Sequence, residues 1–203
     1  MTHVLVLHAR LGPEPDPGAL APLLARLPYA KRLELENRDP PLRHASLAGI
    51  ALALRGVEAL RGGPVDPGAL RFPAGGKPYF PGGPGFSVSH GAGRVAVALR
   101  ADGEVGFDLE ELDAASREAG AARARLVRWT ATEAVLKAAG RGLGDARAVH
   151  LGESLREGRV GGASFQLVPV SIAGDVVAHL AVDVPVTSVS VEEVEASVLA
   201  FGG

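Results

Sequence analysis

Residues 86–110 read FSVSHGAGRVAVALRADGEVGFDLE, and the fold turns on how they are read. Phe86, Val88 and His90 alternate with Ser87 and Ser89. Val95, Val97 and Leu99 alternate with small or charged residues, and Val105, Phe107 and Leu109 alternate with Gly106, Asp108 and Glu110. A period of two marks extended chain, whose successive side chains point to opposite faces. Asp102-Gly103 is a turn pair, so residues 94–110 are predicted to form a β-hairpin. Asp108 and Glu110 then share the face opposite the apolar one, with their carboxylates close together. Gly106 extends that face and is expected to leave room for a ligand to approach the backbone. Two such carboxylates repel unless a cation lies between them.

Downstream, Arg123–Ala139 has helical spacing, with Gly140 and Gly142 as stop signals. Trp129, Glu133 and Lys137 recur every four residues and so form one stripe, while Ala134, Ala138 and Ala139 keep the adjoining faces slim. If this helix crosses the strand, Asp108, Glu110 and Glu133 meet Lys137. Hard oxygen ligands in that number suit magnesium, which binds through a few carboxylates together with substrate phosphates. Lys137 would then hold a phosphate and not a carboxylate. His90 has no second histidine at ligand spacing, which argues against a metal role for it.

Upstream, Val4–Leu7 reads as a buried strand ending before the Gly12–Pro17 turn cluster. Leu20, Leu23, Leu24 and Leu27 fall on one helical face, and Ser46–Leu60 is again helical. Gly62–Gly85 reads as loop, with Lys77 in a setting (Gly75, Gly76, Pro78) that would shape an anion cradle. Toward the C-terminus, Val168–Ile172 and Val176–Val184 predict a hairpin around Ala173-Gly174-Asp175, and Val189 and Val191 a further strand. Ser46–Val57 faintly echoes Thr132–Leu143, a hint of internal duplication. The class is α+β, divided into 1–74 and 75–203, the second part carrying the acidic motifs.

Composition narrows the rest. Twenty-one Lys and Arg against 23 Asp and Glu give a formal charge of -2, without the positive field that non-specific nucleic-acid binding uses. The absence of cysteine excludes disulfides, thiolate nucleophiles and Cys-containing zinc sites. His3–Ala9 is too short and lacks the basic leader of a signal peptide, and no stretch is long enough for a membrane helix. A cytoplasmic location with no membrane partner is expected.

In order, the motifs resemble those of the Sfp-type 4′-phosphopantetheinyl transferases. Gly76-Lys77-Pro78 followed by Phe86-Ser87-Val88-Ser89-His90 is similar to the first, and Val105-Gly106-Phe107-Asp108-Leu109-Glu110 to the second. Trp129-Thr130-Ala131-Thr132-Glu133-Ala134-Val135-Leu136-Lys137, with Gly140, Gly142 and Leu143, resembles the third; Arg43, Ser46 and Gly49 loosely resemble a coenzyme-binding segment before a helix. The resemblance implies two similar α/β halves related by a pseudo-twofold axis, with coenzyme A in the cleft between them. It implies Mg2+ held by Asp108, Glu110 and Glu133, and Lys137 on the phosphates. His90, Lys77, Arg43 and Ser46 would secure the nucleotide end and its 3′-phosphate. Glu133, or a water it polarises, would act as base for the serine of an apo acyl or peptidyl carrier protein. A monomer is expected.

Two departures favour an alternative, a weakened member that binds coenzyme A or a carrier without efficient transfer: Thr132 stands where the family usually has lysine, and only 22 residues separate Glu110 from Glu133. Ala45 also stands where many members have arginine. A magnesium-dependent phosphohydrolase using the same acidic residues is a further reading, without a recognisable phosphatase motif behind it.

Overall fold

A computed structural model describes residues 2–12, 18–73, 76–91, 93–112, 120–173 and 175–195. Residues 13–17 of the turn cluster, Gly75, Gly174 and residues 113–119 of the segment before Glu133 lie outside the described residues. The chain is mixed α+β with two sheets. The first has the order β2 (Gly85–Gly91), β3 (Arg94–Arg100), β1 (Thr2–Arg10), β9 (Val186–Glu193), with β1 and β9 parallel and the other pairs antiparallel. The second is antiparallel, in the order β4 (Val105–Glu111), β8 (Val176–Val182), β7 (Ala163–Pro169), β6 (Glu157–Val160), β5 (His150–Leu151).

Helices α1 (Ala21–Arg26), α2 (Tyr29–Glu36) and α3 (Pro40–Arg61) precede β2, and α4 (Gly120–Ala138) follows β4. Three apolar clusters separate the layers. Leu5, Leu7, Val95, Val97 and Leu99 face Leu47, Ala51 and Leu54 of α3. Val4, Val6, Ala96 and Ala98 face Val105, Phe107, Leu109 and Leu180 across the two sheets. Ala131, Ala134, Val135 and Ala138 of α4 cover Phe165, Leu167 and Ala181 on the outer face of the second sheet. β1 and β3 are therefore buried on both faces, which is why β1 reads as an unbroken apolar run.

The hairpin expected over 94–110 does not form. β3 pairs with β1 and β2, while β4 pairs with β8. The physical reason is that the alanines of β3 do not face solvent; Ala96 and Ala98 pack on Val105, Phe107 and Leu109 face to face. Asp102-Gly103 turns the chain from one sheet to the other, with Gly103 at φ +96° beneath the Arg100 side chain. The hairpin that does form is β2–β3. Sheet membership also divides the chain elsewhere than at 74/75, because β2 and β3 join β1, and β9 returns to that sheet from the far end. The strand at Val189–Val191 and the helix over Ser46–Leu60 are present, and the helix expected over Arg123–Ala139 ends at Ala138. The C-terminal hairpin forms as β7–β8, but its first strand runs over Ala163–Pro169 and shares only Val168 and Pro169 with the expected Val168–Ile172. The segment Lys31–Arg38 is largely helical as well. Among the described residues, no helix is long and apolar enough to cross a membrane.

Candidate functional site

β2 and β4 are both edge strands, and they meet where the two sheets abut. Serine side chains do there what a backbone ladder would otherwise do. Ser87 Oγ accepts from Phe107 N–H at 3.0 Å. Ser89 Oγ accepts from Leu109 N–H at 3.3 Å and donates to Asp108 Oδ1 at 2.8 Å. Asp108 is buried, and Lys137 Nζ donates to the same Oδ1 at 2.6 Å. Its other oxygen, Oδ2, is buried with no hydrogen-bond partner among the described residues.

α4 lies on β4 closely enough to complete the cluster because Gly106 has no side chain. A Cβ there would come 2.9 Å from Ala138 Cα and nearer still to Ala134 O and Ala138 N. This corrects the expectation that Gly106 admits a ligand: the space belongs to the helix. One carboxylate oxygen each of Asp108, Glu110 and Glu133 lies within 4.8 Å of the others. Burial raises the pKa of Glu110 above the ordinary range, the Asp108 charge adds to this, and Lys137 opposes it. Glu133 is raised in the same way, by burial first and then by Asp108.

Three carboxylates and one ammonium leave two negative charges uncompensated. That charge, the crowded oxygens and the unpartnered Oδ2 fit a small divalent cation with oxygen ligands. Lys137 was expected to hold a phosphate and not a carboxylate. In the structure it is paired with Asp108 and lies 3.7 Å from Glu133, the geometry of a cation placed among anions.

The remaining expected residues divide. His90 is the next-to-last residue of β2 and lines a cavity of about 500 Å³ with Pro41, Leu42, His44 and Ala45 of α3. The cavity reaches the acidic cluster through Gly91, where a Cβ would stand 4.0 Å from Glu110 Oε2. Desolvation lowers the His90 pKa, and the nearby cations Lys137 and Arg38 act in the same direction. Desolvation likewise lowers that of His44.

Arg43 and Ser46 lie within the first turns of α3, not before the helix, and neither lines this cavity. Ser46 Oγ donates to Leu42 O at 2.8 Å and accepts from Arg38 Nη1 at 3.0 Å. Gly49 faces the sheet, where a Cβ would lie 2.6 Å from Val88 Cγ1, so it serves packing. Lys77 is not brought to His90. Its Nζ donates to Glu104 Oε2 at 2.8 Å and Val105 O at 2.6 Å, at the opposite end of β4 and roughly 17 Å along the strand from Glu110. It lines a separate cavity of about 430 Å³ beside Ala138–Gly140, and desolvation lowers its pKa. The Arg71–Tyr79 bridge holds the loop there.

Sequence reasoning missed Ser89 as the anchor of Asp108, although its place in the 86–90 alternation beside a strand carrying a buried acid was a usable signal. It missed His44 and Arg38, which no local pattern ties to His90. It also missed His179, which pairs with Asp108 across β4–β8 and whose Nδ1 lies 2.8 Å from Thr130 Oγ1. Burial lowers the pKa of His179 to about 4. No protein-family model matches this chain, and no curated protein matches it.

Proposed function

We propose that the protein transfers the 4′-phosphopantetheine group of coenzyme A to a serine of an apo acyl or peptidyl carrier protein, with Mg2+, releasing 3′,5′-ADP. The observation that carries this reading is the convergence of Asp108, Glu110 and Glu133, one oxygen of each within 4.8 Å of the others, beside Lys137 and a nucleotide-sized cavity. The order of the three motifs alone carries the further expectation of two α/β halves related by a pseudo-twofold axis, with the donor lying between them.

In this mechanism Asp108, Glu110 and Glu133 hold the ion, and Lys137 compensates charge on the phosphates. The ion, when bound, stabilises negative charge on the pyrophosphate oxygens. The carrier serine oxygen attacks the phosphorus that bears the pantetheine arm. A new P–O bond forms, the pyrophosphate bond breaks, and the electron pair leaves with 3′,5′-ADP. Glu133, or a water it polarises, is the base that takes the serine proton. His90 and His44 line the space for the nucleotide, with Arg38 close enough to contribute positive charge.

Incubation with an apo carrier, coenzyme A and Mg2+ should raise the carrier's mass by one phosphopantetheine and release 3′,5′-ADP, and a chelator should abolish both. Coenzyme A binding without a mass gain on any of a panel of carriers would favour the weakened, binding-only reading. That reading draws on Thr132, whose hydroxyl is spent on Arg128 O at 2.8 Å and offers the phosphates no cation.

A further inference from the structure

A third cavity, of about 590 Å³, opens between the N-terminal half of α4 and the β7–β8 hairpin. That volume suits a small organic group. Its walls mix apolar groups, from Val127, Val170, Ile172, Val176 and Val177, with polar ones from Arg123, Ser171 and His179. The cavity adjoins the acidic cluster. Val177 and His179 pair across β4–β8 with Glu110 and Asp108, and cross-strand partners share a face. Thr130, which touches His179, lies three residues before Glu133 on α4.

His179 is buried, and its neighbours fix its tautomer. The single Thr130 hydroxyl proton is directed at the carbonyls of Leu126 (3.0 Å) and Val127 (3.2 Å). Oγ1 must therefore accept from His179, which places the ring proton on Nδ1. Nε2 is left as a neutral acceptor, in a ring that lines the cavity. An acceptor placed there favours a ligand that brings a donor and disfavours one that does not.

We infer that this cavity receives the uncharged, amide-bearing arm of the donor substrate and that His179 Nε2 accepts a hydrogen bond from one of its N–H or O–H groups. The inference rests on the proposed transfer reaction, in which coenzyme A presents such an arm next to its pyrophosphate. His179 is thereby a positioning residue for the arm, and Thr130 holds its tautomer.

The test is calorimetric titration, with Mg2+ present, of the wild type, His179→Leu, His179→Gln and Val127→Trp with coenzyme A and with 3′,5′-ADP, which lacks the arm. His179→Leu removes the acceptor and should weaken coenzyme A about tenfold. Val127→Trp fills the cavity from a partly exposed helix position and should weaken it similarly. His179→Gln keeps an acceptor and should stay within about threefold of the wild type. Affinity for 3′,5′-ADP should be the same in all four, which also reports that each variant is folded. Unchanged coenzyme A affinity in His179→Leu or Val127→Trp, or parallel loss of both ligands, overturns the inference. A wild type that binds neither ligand instead brings down the transfer reading, and this proposal with it.

Discussion

Adding one methyl group at Gly106 should separate the two elements that build the acidic cluster. A Cβ at this position would stand 2.9 Å from Ala138 Cα and closer to Ala134 O and Ala138 N, all of them helix backbone that cannot rotate aside. Carbon contacts settle near about 3.5 to 4 Å, so α4 must withdraw on the order of 1 Å. Overpacking of this kind costs about 1–3 kcal/mol, sometimes more. For a chain of this size each kcal/mol is worth about 2–4 °C, so Gly106→Ala should melt roughly 2–12 °C below the wild type. The same displacement carries Glu133 and Lys137 away from Asp108. Mg2+ demands oxygen ligands at about 2.1 Å in near-octahedral order, so affinity should fall at least about tenfold. Thermal melts and Mn2+ or Mg2+ titrations measure both effects. Gly63→Ala is the control, since a Cβ there meets nothing within 4 Å. If Gly106→Ala melts with the wild type and binds the ion equally well, α4 does not rest on β4 as described and the cluster is assembled in some other way.

Asp108→Asn keeps the shape but removes a charge, so the rise in melting temperature caused by Mg2+ should disappear and carrier loading should fall by about 100-fold or more, read by carrier mass. Ser89→Ala deprives Leu109 N–H and Asp108 Oδ1 of a partner inside the protein, and should cost about 1–2 kcal/mol in urea denaturation. Because Glu110 and Glu133 hold protons above the ordinary carboxylate range, ion binding must displace them; divalent-ion affinity should drop as pH falls into that raised range, and titrations between pH 5 and 8 will show it. His179 titrates at about 4 when folded against an ordinary 6.5, so the unfolded chain takes up its proton first. Its contribution is complete above pH 6.5 and is lost as pH falls toward 4, roughly 3 kcal/mol in all, and His179→Gln should flatten that part of the stability profile measured by denaturation.

Elements were more legible than their pairing. Period-two alternation located β2, β3 and β4, and the every-fourth-residue stripe located α4 and put Glu133 and Lys137 on one face. Alternation cannot say whether the second face meets water or another sheet. In β3 the alanines between the valines read as an outward face, yet Ala96 and Ala98 are fully buried; small size there lets a second sheet approach. The hairpin reading of 94–110 failed on that point. Gly106 was ambiguous in the same way, and the signal that resolves it is Ala134 and Ala138 at helical spacing, small residues that let a helix backbone approach a strand with no Cβ. Lys77 was placed with His90 by motif order alone, which carries no information about which end of β4 each residue reaches.

The position of the acidic cluster follows from an unfinished ladder. Two sheets packed face to face leave their edge strands, β2 and β4, with backbone groups that neither sheet pairs, and buried amides without partners are costly. Ser87 and Ser89 answer this with hydroxyls, and each hydroxyl that accepts from a β4 amide still has one proton to give. At Ser87 the proton faces Phe107 O at 3.5 Å; at Ser89 it goes to Asp108 Oδ1. The same contact that closes the seam thus holds Asp108 by Oδ1 and leaves Oδ2 without a hydrogen bond among the described residues. A serine at 89 is then needed for stability and chemistry together, so Ser89→Ala should lower divalent-ion affinity as well as the denaturation midpoint. Loss of stability with unchanged ion affinity would show that Asp108 is oriented by Lys137 alone.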